Sequence, residues 1–230
     1  MGVAEWMQAN DVIAFKVFSS TDPSDLPTGW TKPSKFFLDG VVFYDGKQMI
    51  VFTDMVDAVL IKDKETMNHG MEWLQSWLDG AKGVTFVGYG SGNFDSILLN
   101  KEHRAEADHI DLANIISDAS KEHYGDRGRR YDIHDLAEWN AIKPETISHL
   151  SFLTRPLARL AEWRRGMARN VLKTVAAEVE IIGRLFSMIT VHESLRIMDE
   201  RTERVVSINV QNARDIGLYT KQIAEIKEEE

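Results

Sequence analysis

The sequence VGYGSGNFDSILL, residues 87–99, joins a short apolar strand to a helix through a turn that contains three glycines. Glycine lets the backbone turn sharply, because it accepts the positive φ angles that other residues avoid. Asp95 then opens a helix predicted over residues 93–104, where a carboxylate meets unpaired N–H groups and the positive end of the helix dipole. The stretch therefore predicts a strand–turn–helix unit that places one carboxylate at the start of a helix.

On the amino-terminal side of this unit the sequence predicts strands. Residues 11–20 form a β-branched and aromatic run that is typical of a buried strand. Residues 36–53 predict a hairpin around Asp45 and Gly46, a dipeptide that favours tight turns. The intervening residues 21–35 hold three of the five prolines and predict a loop.

The remaining segments predict mostly helices. Residues 64–80 have apolar side chains at helical spacing, namely Met67, Met71, Leu74 and Leu78. Further on, the sequence predicts a short strand feeding a helix over 109–124, a helix over 131–141, a long helix over 157–190 with a break near Gly166, and a second hairpin over 194–210. Strands followed by interleaved helices indicate an α/β fold with a mixed sheet. We expect one domain over residues 1–210 and a polar helical tail over 211–230.

Composition narrows the possible classes of function. The chain has 230 residues, a net charge of −9 and no cysteine, which excludes disulfides, cysteine nucleophiles and thiolate metal sites. No apolar run approaches the roughly 20 residues needed to cross a bilayer, and no signal peptide is evident, so we expect a cytoplasmic protein without membrane contact. The acidic balance argues against a general nucleic-acid coat but leaves room for a local basic groove.

Four segments and a closing hairpin follow one another in the order of a known family. They read VIAFKVFSS, VGYGSGNFD, RRYDIHDLAEWN, WRRGMARNVLKTVAAEVEIIGRLF and SLRIMDERTERVVSINV. In this order they resemble the DnaQ-like (DEDD) 3′–5′ exonucleases of the ribonuclease H-like superfamily, most closely the branch with YprB-type domains. The resemblance covers roughly residues 11–210 and implies a ribonuclease H-like mixed sheet flanked by helices, with a β-hairpin and a helix at the C-terminus.

The resemblance also implies a chemistry. In this family four carboxylates hold two divalent ions that hydrolyse phosphodiesters, and a Tyr or His near the third motif positions the attacking water. Hard oxygen ligands suit Mg²⁺ and Mn²⁺. In this chain the first-motif Asp and Glu positions hold Lys16 and Phe18, whereas the second-motif Asp is kept as Asp95. The third-motif Asp position holds Glu178, and the Tyr position four residues earlier holds Thr174.

These departures predict a catalytically dead site without metal. An ammonium replaces a carboxylate where an ion would lie, and one unit-charge pair at 4 Å is worth roughly 4 kcal/mol at an effective dielectric near 20. Lys16 could neutralise Asp95 and Glu178 as an internal substitute for the metal. Period 2 places Lys16 and Phe18 on one face of the strand, with Phe15 and Val17 on the other. Plainer roles remain open: Asp95 as a helix-start carboxylate, Glu178 as an exposed or Lys-paired helix residue, and Lys16 as an edge residue reaching solvent.

Three functions follow from this pattern. The first is a degenerate exonuclease-fold protein that binds nucleic acid or protein and needs no cofactor. The second is a weak or atypical 3′–5′ exonuclease with Mg²⁺ or Mn²⁺, and the third is a structural or assembly subunit. Candidate partners are single-stranded nucleic acid and a replication, repair or assembly protein, and the cysteine-free, degenerate sequence would suit a viral or mobile-element protein. Candidate nucleic-acid contacts are the basic residues Arg129, Arg130, Arg164 and Arg165, although a solvated face interleaved with acids is the simpler interpretation.

Overall fold

The computed structural model describes residues 7–8, 11–18, 39–54, 66–81, 83–90, 108–125, 128–145, 161–162 and 165–210. Asp95, Arg164, the predicted loop over 21–35, the predicted helix over 93–104 and the tail over 211–230 lie outside the described residues. The boundary expected at residue 210 therefore stays a prediction.

A six-stranded sheet forms the centre of the described structure. Its strands are β1 (Val12–Phe18), β2 (Gly40–Tyr44), β3 (Met49–Thr53), β4 (Thr66–His69), β5 (Thr85–Gly88) and β6 (Asp108–Asp111), in the spatial order β4-β3-β2-β1-β5-β6. β2 pairs antiparallel with β1 and β3, whereas the β1–β5, β5–β6 and β3–β4 pairs are parallel. β2 alone thus runs against the other five strands.

The predicted first hairpin is confirmed, and its turn shows why the sequence folds there. β2 and β3 meet in the expected antiparallel register, with Tyr44 opposite Met49. Gly46 has φ of 97°, a conformation that side chains other than glycine rarely adopt. The carboxylate of Asp45 accepts hydrogen bonds from the backbone N–H groups of Lys47 and Gln48, at 2.8 and 2.7 Å. The Asp-Gly dipeptide therefore fixes the register of the sheet next to β1.

Four helices and a second hairpin complete the described elements. The helices are α1 (Leu74–Gly80), α2 (Leu112–Tyr124), α3 (Ile133–Trp139) and α4 (Ala168–His192), and a 3₁₀ turn over Met71–Trp73 precedes α1. The separate antiparallel hairpin consists of β7 (Ser194–Asp199) and β8 (Arg204–Asn209). A mixed sheet flanked by helices, with a hairpin at its C-terminal side, is consistent with a ribonuclease H-like exonuclease fold, as predicted.

One element was predicted wrongly. Residues 66–69, expected within a helix over 64–80, form β4, whose backbone pairs in parallel with β3. Gly70 is extended, with φ of −66° and ψ of 157°, and the helical turns begin only after it. Met71, Leu74 and Leu78 keep the helical packing that their spacing indicated. The hydrogen bonds offered by β3 outweigh the helical preference of the first half of the segment.

The two faces of β1 belong to two different cores, as period 2 predicted. Phe15 packs on one face with aromatic residues of neighbouring strands, its ring centroid 6.0 Å from that of Phe43 and 6.1 Å from that of Phe86. Ala14 and Phe18 lie on the opposite face, in the larger core that includes α4. Lys16 lies between Ala14 and Phe18 on this face, so its side chain is directed toward α4.

The predicted break before the long helix is also confirmed. Gly166 has φ of 77°, and the backbone N–H of Met167 donates to the carbonyl of Glu162 at 2.9 Å. At the other end Glu193 adopts the left-handed conformation that terminates α4, and β7 starts at the next residue. Within the ranges given above, no helix has the length and apolar character needed to cross a membrane.

Candidate functional site

A buried carboxylate lies where α4 crosses β1. Glu178 is only 1% exposed, and the large core around it includes Val175 and Val179 of the same helix. Because an ionised carboxylate in an apolar core is costly unless it is paired and hydrogen-bonded, its partners decide what this site can do. Of the alternative that Glu178 is an exposed or Lys-paired helix residue, the exposed form is therefore wrong.

Lys16 provides the first partner. Its Nζ lies 3.6 Å from Oε2 of Glu178, and the two side chains are 22% and 2% exposed. The contact is an ion pair rather than a short hydrogen bond, because it exceeds the usual N–H···O distance. The strand order places β1 between β2 and β5, so Lys16 is not a residue of a sheet edge, which corrects that alternative.

His134 provides the second partner. Its Nε2 lies 3.0 Å from Oε1 of Glu178, and its side chain is 28% exposed. Asp132 starts α3 by accepting a hydrogen bond from the backbone N–H of His134 at 2.8 Å, which places the imidazole in the first turn. The sequence alone does not point to His134 as a residue of the site. In the segment RRYDIHDLAEWN, Asp132 is a typical N-cap residue, and it indicates where the helix that carries His134 begins.

Phe18 and Thr174, which the resemblance assigns to two further family positions, are both buried. Phe18 is buried, and its ring lies so close to Gly40 of β2 that a Cβ at that position would collide with it. Thr174 is buried in α4, where its hydroxyl donates to the carbonyl of Asn170 at 3.1 Å. An aromatic ring offers no oxygen to a metal, and this hydroxyl hydrogen bond lies within the helix.

The glycine turn of the opening motif is held from the neighbouring strand. Gly90 has φ of 65°, and its backbone N–H donates to Oδ1 of Asp111 at 2.9 Å. The same oxygen accepts from the backbone N–H of Ala113 at the start of α2, at 3.0 Å. The Tyr89 hydroxyl donates to the carbonyl of Tyr131 at 2.5 Å, and burial raises the pKa of Tyr89 above its ordinary value. Asp111 and Tyr89 thus tie the end of β5 to α2 and to the start of α3.

The residues of this site do not fit the pair of divalent ions that the family resemblance implies. Two strand positions that would supply oxygens hold an ammonium and a phenyl ring, and the ammonium of Lys16 already faces Glu178. Among the residues that the structure describes, no group of three or more His, Cys, Asp or Glu side chains could hold a metal ion. We therefore derive no catalytic step through a metal. Asp95, the kept member of the motif, lies outside these ranges.

The described basic residues that were predicted to contact nucleic acid lie in two different segments, one next to the second hairpin and one just before α4. Arg129 forms an ion pair with Glu200 of the second hairpin, and its guanidinium carbon lies 4.7 Å from the centroid of the Tyr124 ring. Arg130 is exposed beside it. Arg165 is also exposed and lies 3.3 Å from Glu162, one helical turn away. The role of these residues in binding nucleic acid stays a prediction, as does that of Arg164.

Comparison with known proteins assigns neither a family nor a role to the chain. No family model matches the chain, and no curated protein matches it. One solved structure that matches is RNase D of Escherichia coli, described as an exoribonuclease involved in structured RNA processing, with 14% identity and a TM-score of 0.35. The match covers 82% of this chain but only 44% of RNase D, so the chain spans less than half of that protein. No residue's role passes to this chain at that level of similarity.

Proposed function

We propose that the protein is a catalytically inactive member of the DnaQ-like exonuclease fold that acts as a binding module. The observation that carries this proposal is the ion pair between Lys16 and Glu178, at 3.6 Å in the corner where α4 crosses β1. A cation that belongs to the protein itself neutralises the carboxylate there. The carboxylate is then charge-balanced without the divalent ion that the family uses to activate the attacking water.

His134 supports the same proposal. Both oxygens of Glu178 face a positive or hydrogen-bonding group of another element, Oε1 facing α3 and Oε2 facing β1. A carboxylate whose two oxygens both contact protein groups can join three elements of the fold. The same contacts make it a poor ligand for a metal ion. The three side chains thus hold the frame together at the position where the family carries out its chemistry.

As a binding module, the protein would take single-stranded nucleic acid or a protein of a replication, repair or assembly complex as its partner. The net charge of −9 disfavours contact with a polyanion over most of the protein surface, so it favours a protein partner there. The basic residues near the second hairpin favour a local contact with a nucleic-acid strand. In neither case does the proposal require a cofactor.

Degradation of single-stranded DNA and RNA in the presence of Mn²⁺ tests the proposal. The wild-type protein and an Asp95→Ala variant should release no nucleotides above a buffer control. Cleavage by the wild type that disappears in Asp95→Ala would show an atypical exonuclease instead. Salt-dependent affinity for an oligonucleotide then separates the two kinds of module, because a module that binds only proteins should bind no oligonucleotide even at low salt.

A further inference from the structure

The second hairpin brings its turn against the basic loop that follows α2. The guanidinium carbons of Arg129, from the loop, and Arg201, from the hairpin turn, lie 4.7 and 5.3 Å from the centroid of the same Tyr124 ring. These two arginines are 72 residues apart in the sequence (201 minus 129), and only the docking of the hairpin joins them. The Tyr124 ring thus brings two guanidinium groups from distant segments together in an acidic protein.

The backbone around this site holds both arginines in place. Gly125 ends α2 in the left-handed conformation, and Gly128 lies so close to Ser117 that a Cβ there would collide with it. The backbone N–H of Arg129 donates to the hydroxyl of Ser120 at 2.7 Å. On the hairpin side, Nη2 of Arg201 lies 3.4 Å from the carbonyl of Tyr124. A guanidinium held in one place loses less side-chain entropy when it binds an anion.

Among the residues that the structure describes, two carboxylates face this site, and they differ in how firmly they are held. Asp199 accepts hydrogen bonds from the backbone N–H of Arg201 at 2.9 Å and from the hydroxyl of Thr202 at 3.0 Å, so it belongs to the turn. Glu200 pairs with Arg129, but its side chain is 66% exposed while that of Arg129 is 28% exposed. Because most of the Glu200 side chain lies in solvent, the ion pair is weak and Glu200 can be displaced.

We propose that Arg129 and Arg201 bind successive phosphates of a single-stranded nucleic acid, and that Glu200 is an intramolecular competitor for Arg129. Guanidinium groups bind phosphate through two parallel hydrogen bonds, which a single displaceable carboxylate does not outcompete. Tyr124 is buried, so it holds the arginines rather than stacking on a base. Both guanidiniums belong to surface segments, which suits a long polyanion. This inference rests on the nucleic-acid form of the proposed function.

The test measures the affinity of the full chain for fluorescently labelled single-stranded DNA and RNA of about 12 nucleotides, a length within the range that such sites cover. EDTA is present, so that any metal-dependent cleavage is suppressed. Glu200→Gln should bind about threefold more tightly than wild type, because the exposed pair it removes is weak. The matched control is Glu203→Gln, which removes the same charge from the same turn.

Arg129→Gln and Arg201→Gln should each weaken binding and lower the slope of log affinity against log salt by about 0.7, the value for one phosphate contact on a single strand. Arg196→Gln is the control, since it removes an exposed arginine from β7 of the same hairpin. Thermal unfolding of every variant shows whether the hairpin is still docked. Arg129→Lys, which keeps the charge, should restore much of the salt slope.

Three results would overturn the inference: equal affinities of Glu200→Gln and Glu203→Gln, no greater loss in Arg129→Gln than in Arg196→Gln, or no oligonucleotide binding at low salt. The last result would leave the protein-binding form of the proposed function intact. Conversely, Mn²⁺-dependent cleavage that requires Asp95 would contradict the proposed function without affecting binding measured in EDTA. The two failures are therefore distinguishable.

Discussion

The ammonium nitrogen of Lys16 lies 3.6 Å from Oε2 of Glu178, which joins an interior strand of the sheet to helix α4. We expect this ion pair to stabilise the folded protein. Lys16→Met should lower the free energy of unfolding by about 2 to 3 kcal/mol, because a buried carboxylate loses its cation. Urea unfolding measures the change, and Lys47→Met, at an exposed position of the first hairpin turn, should have almost no effect.

A double-mutant cycle shows whether this loss comes from the pair itself. Glu178→Gln and the double variant Lys16→Met with Glu178→Gln complete the cycle, and we expect a coupling free energy of about 1 to 3 kcal/mol. A coupling near zero would mean that the two side chains contribute independently, and the idea of an internal cation would then fail.

The contact between His134 and Glu178 predicts which ring nitrogen of His134 carries the proton. Nε2 lies 3.0 Å from Oε1 of Glu178, and an ionised carboxylate oxygen can only accept a hydrogen bond, so Nε2 should carry the proton when the imidazole is neutral. Nitrogen NMR of the histidine ring distinguishes the two tautomers. In Glu178→Leu this preference should weaken. Finding the proton on Nδ1 in the wild-type protein would contradict the contact.

Much of the fold could be predicted from the sequence because its signals are local. The Asp45-Gly46 turn, the alternation of β1 and the break at Gly166 each follow from the residues concerned. β4 could not be predicted, because its pairing with β3 depends on backbone contacts and not on its own pattern. Local signals thus define most of the helices and strands, whereas strand pairing at the sheet edge requires the three-dimensional structure.

The candidate site likewise has some features that the sequence predicts and others that only the three-dimensional structure shows. The resemblance predicts from the sequence alone that Lys16 and Phe18 occupy the positions of family carboxylates. The role of His134 is not visible, because its contact with Glu178 spans 44 residues. The meeting of Arg129 and Arg201 at one ring is equally non-local. Contacts between distant segments are set by the packing of helices and hairpin, which no short motif encodes.

The hydrogen bonds of Asp199 predict how the stability of the protein depends on pH. The hydrogen bond from the backbone N–H of Arg201 lowers the pKa of this carboxyl below its ordinary value, burial opposes this, and the Thr202 hydroxyl lowers it further. A lowered pKa gives stability that is present above the ordinary pKa of an aspartate and is lost as the pH falls through the native value. Asp199→Asn should therefore unfold at lower urea concentration than wild type at pH 6, and the difference should shrink at pH 3.

The matched control for this prediction is Asp79→Asn, at the C-terminal end of α1. Its difference from wild type should not follow the same pH dependence, because it does not belong to the hairpin turn. A difference between Asp199→Asn and wild type that stays constant from pH 6 to pH 3 would show that ionisation of Asp199 does not stabilise the turn.

The most direct test of the central claim is a calorimetric titration of the protein with Mn²⁺, because the claim is that the ammonium of Lys16 occupies the position where a metal would be needed. We predict no saturable binding, and equal heats for wild type, Asp95→Asn and Glu178→Gln. Stoichiometric Mn²⁺ binding by the wild type that is lost in Asp95→Asn and Glu178→Gln would show that these carboxylates hold a metal and would contradict the account.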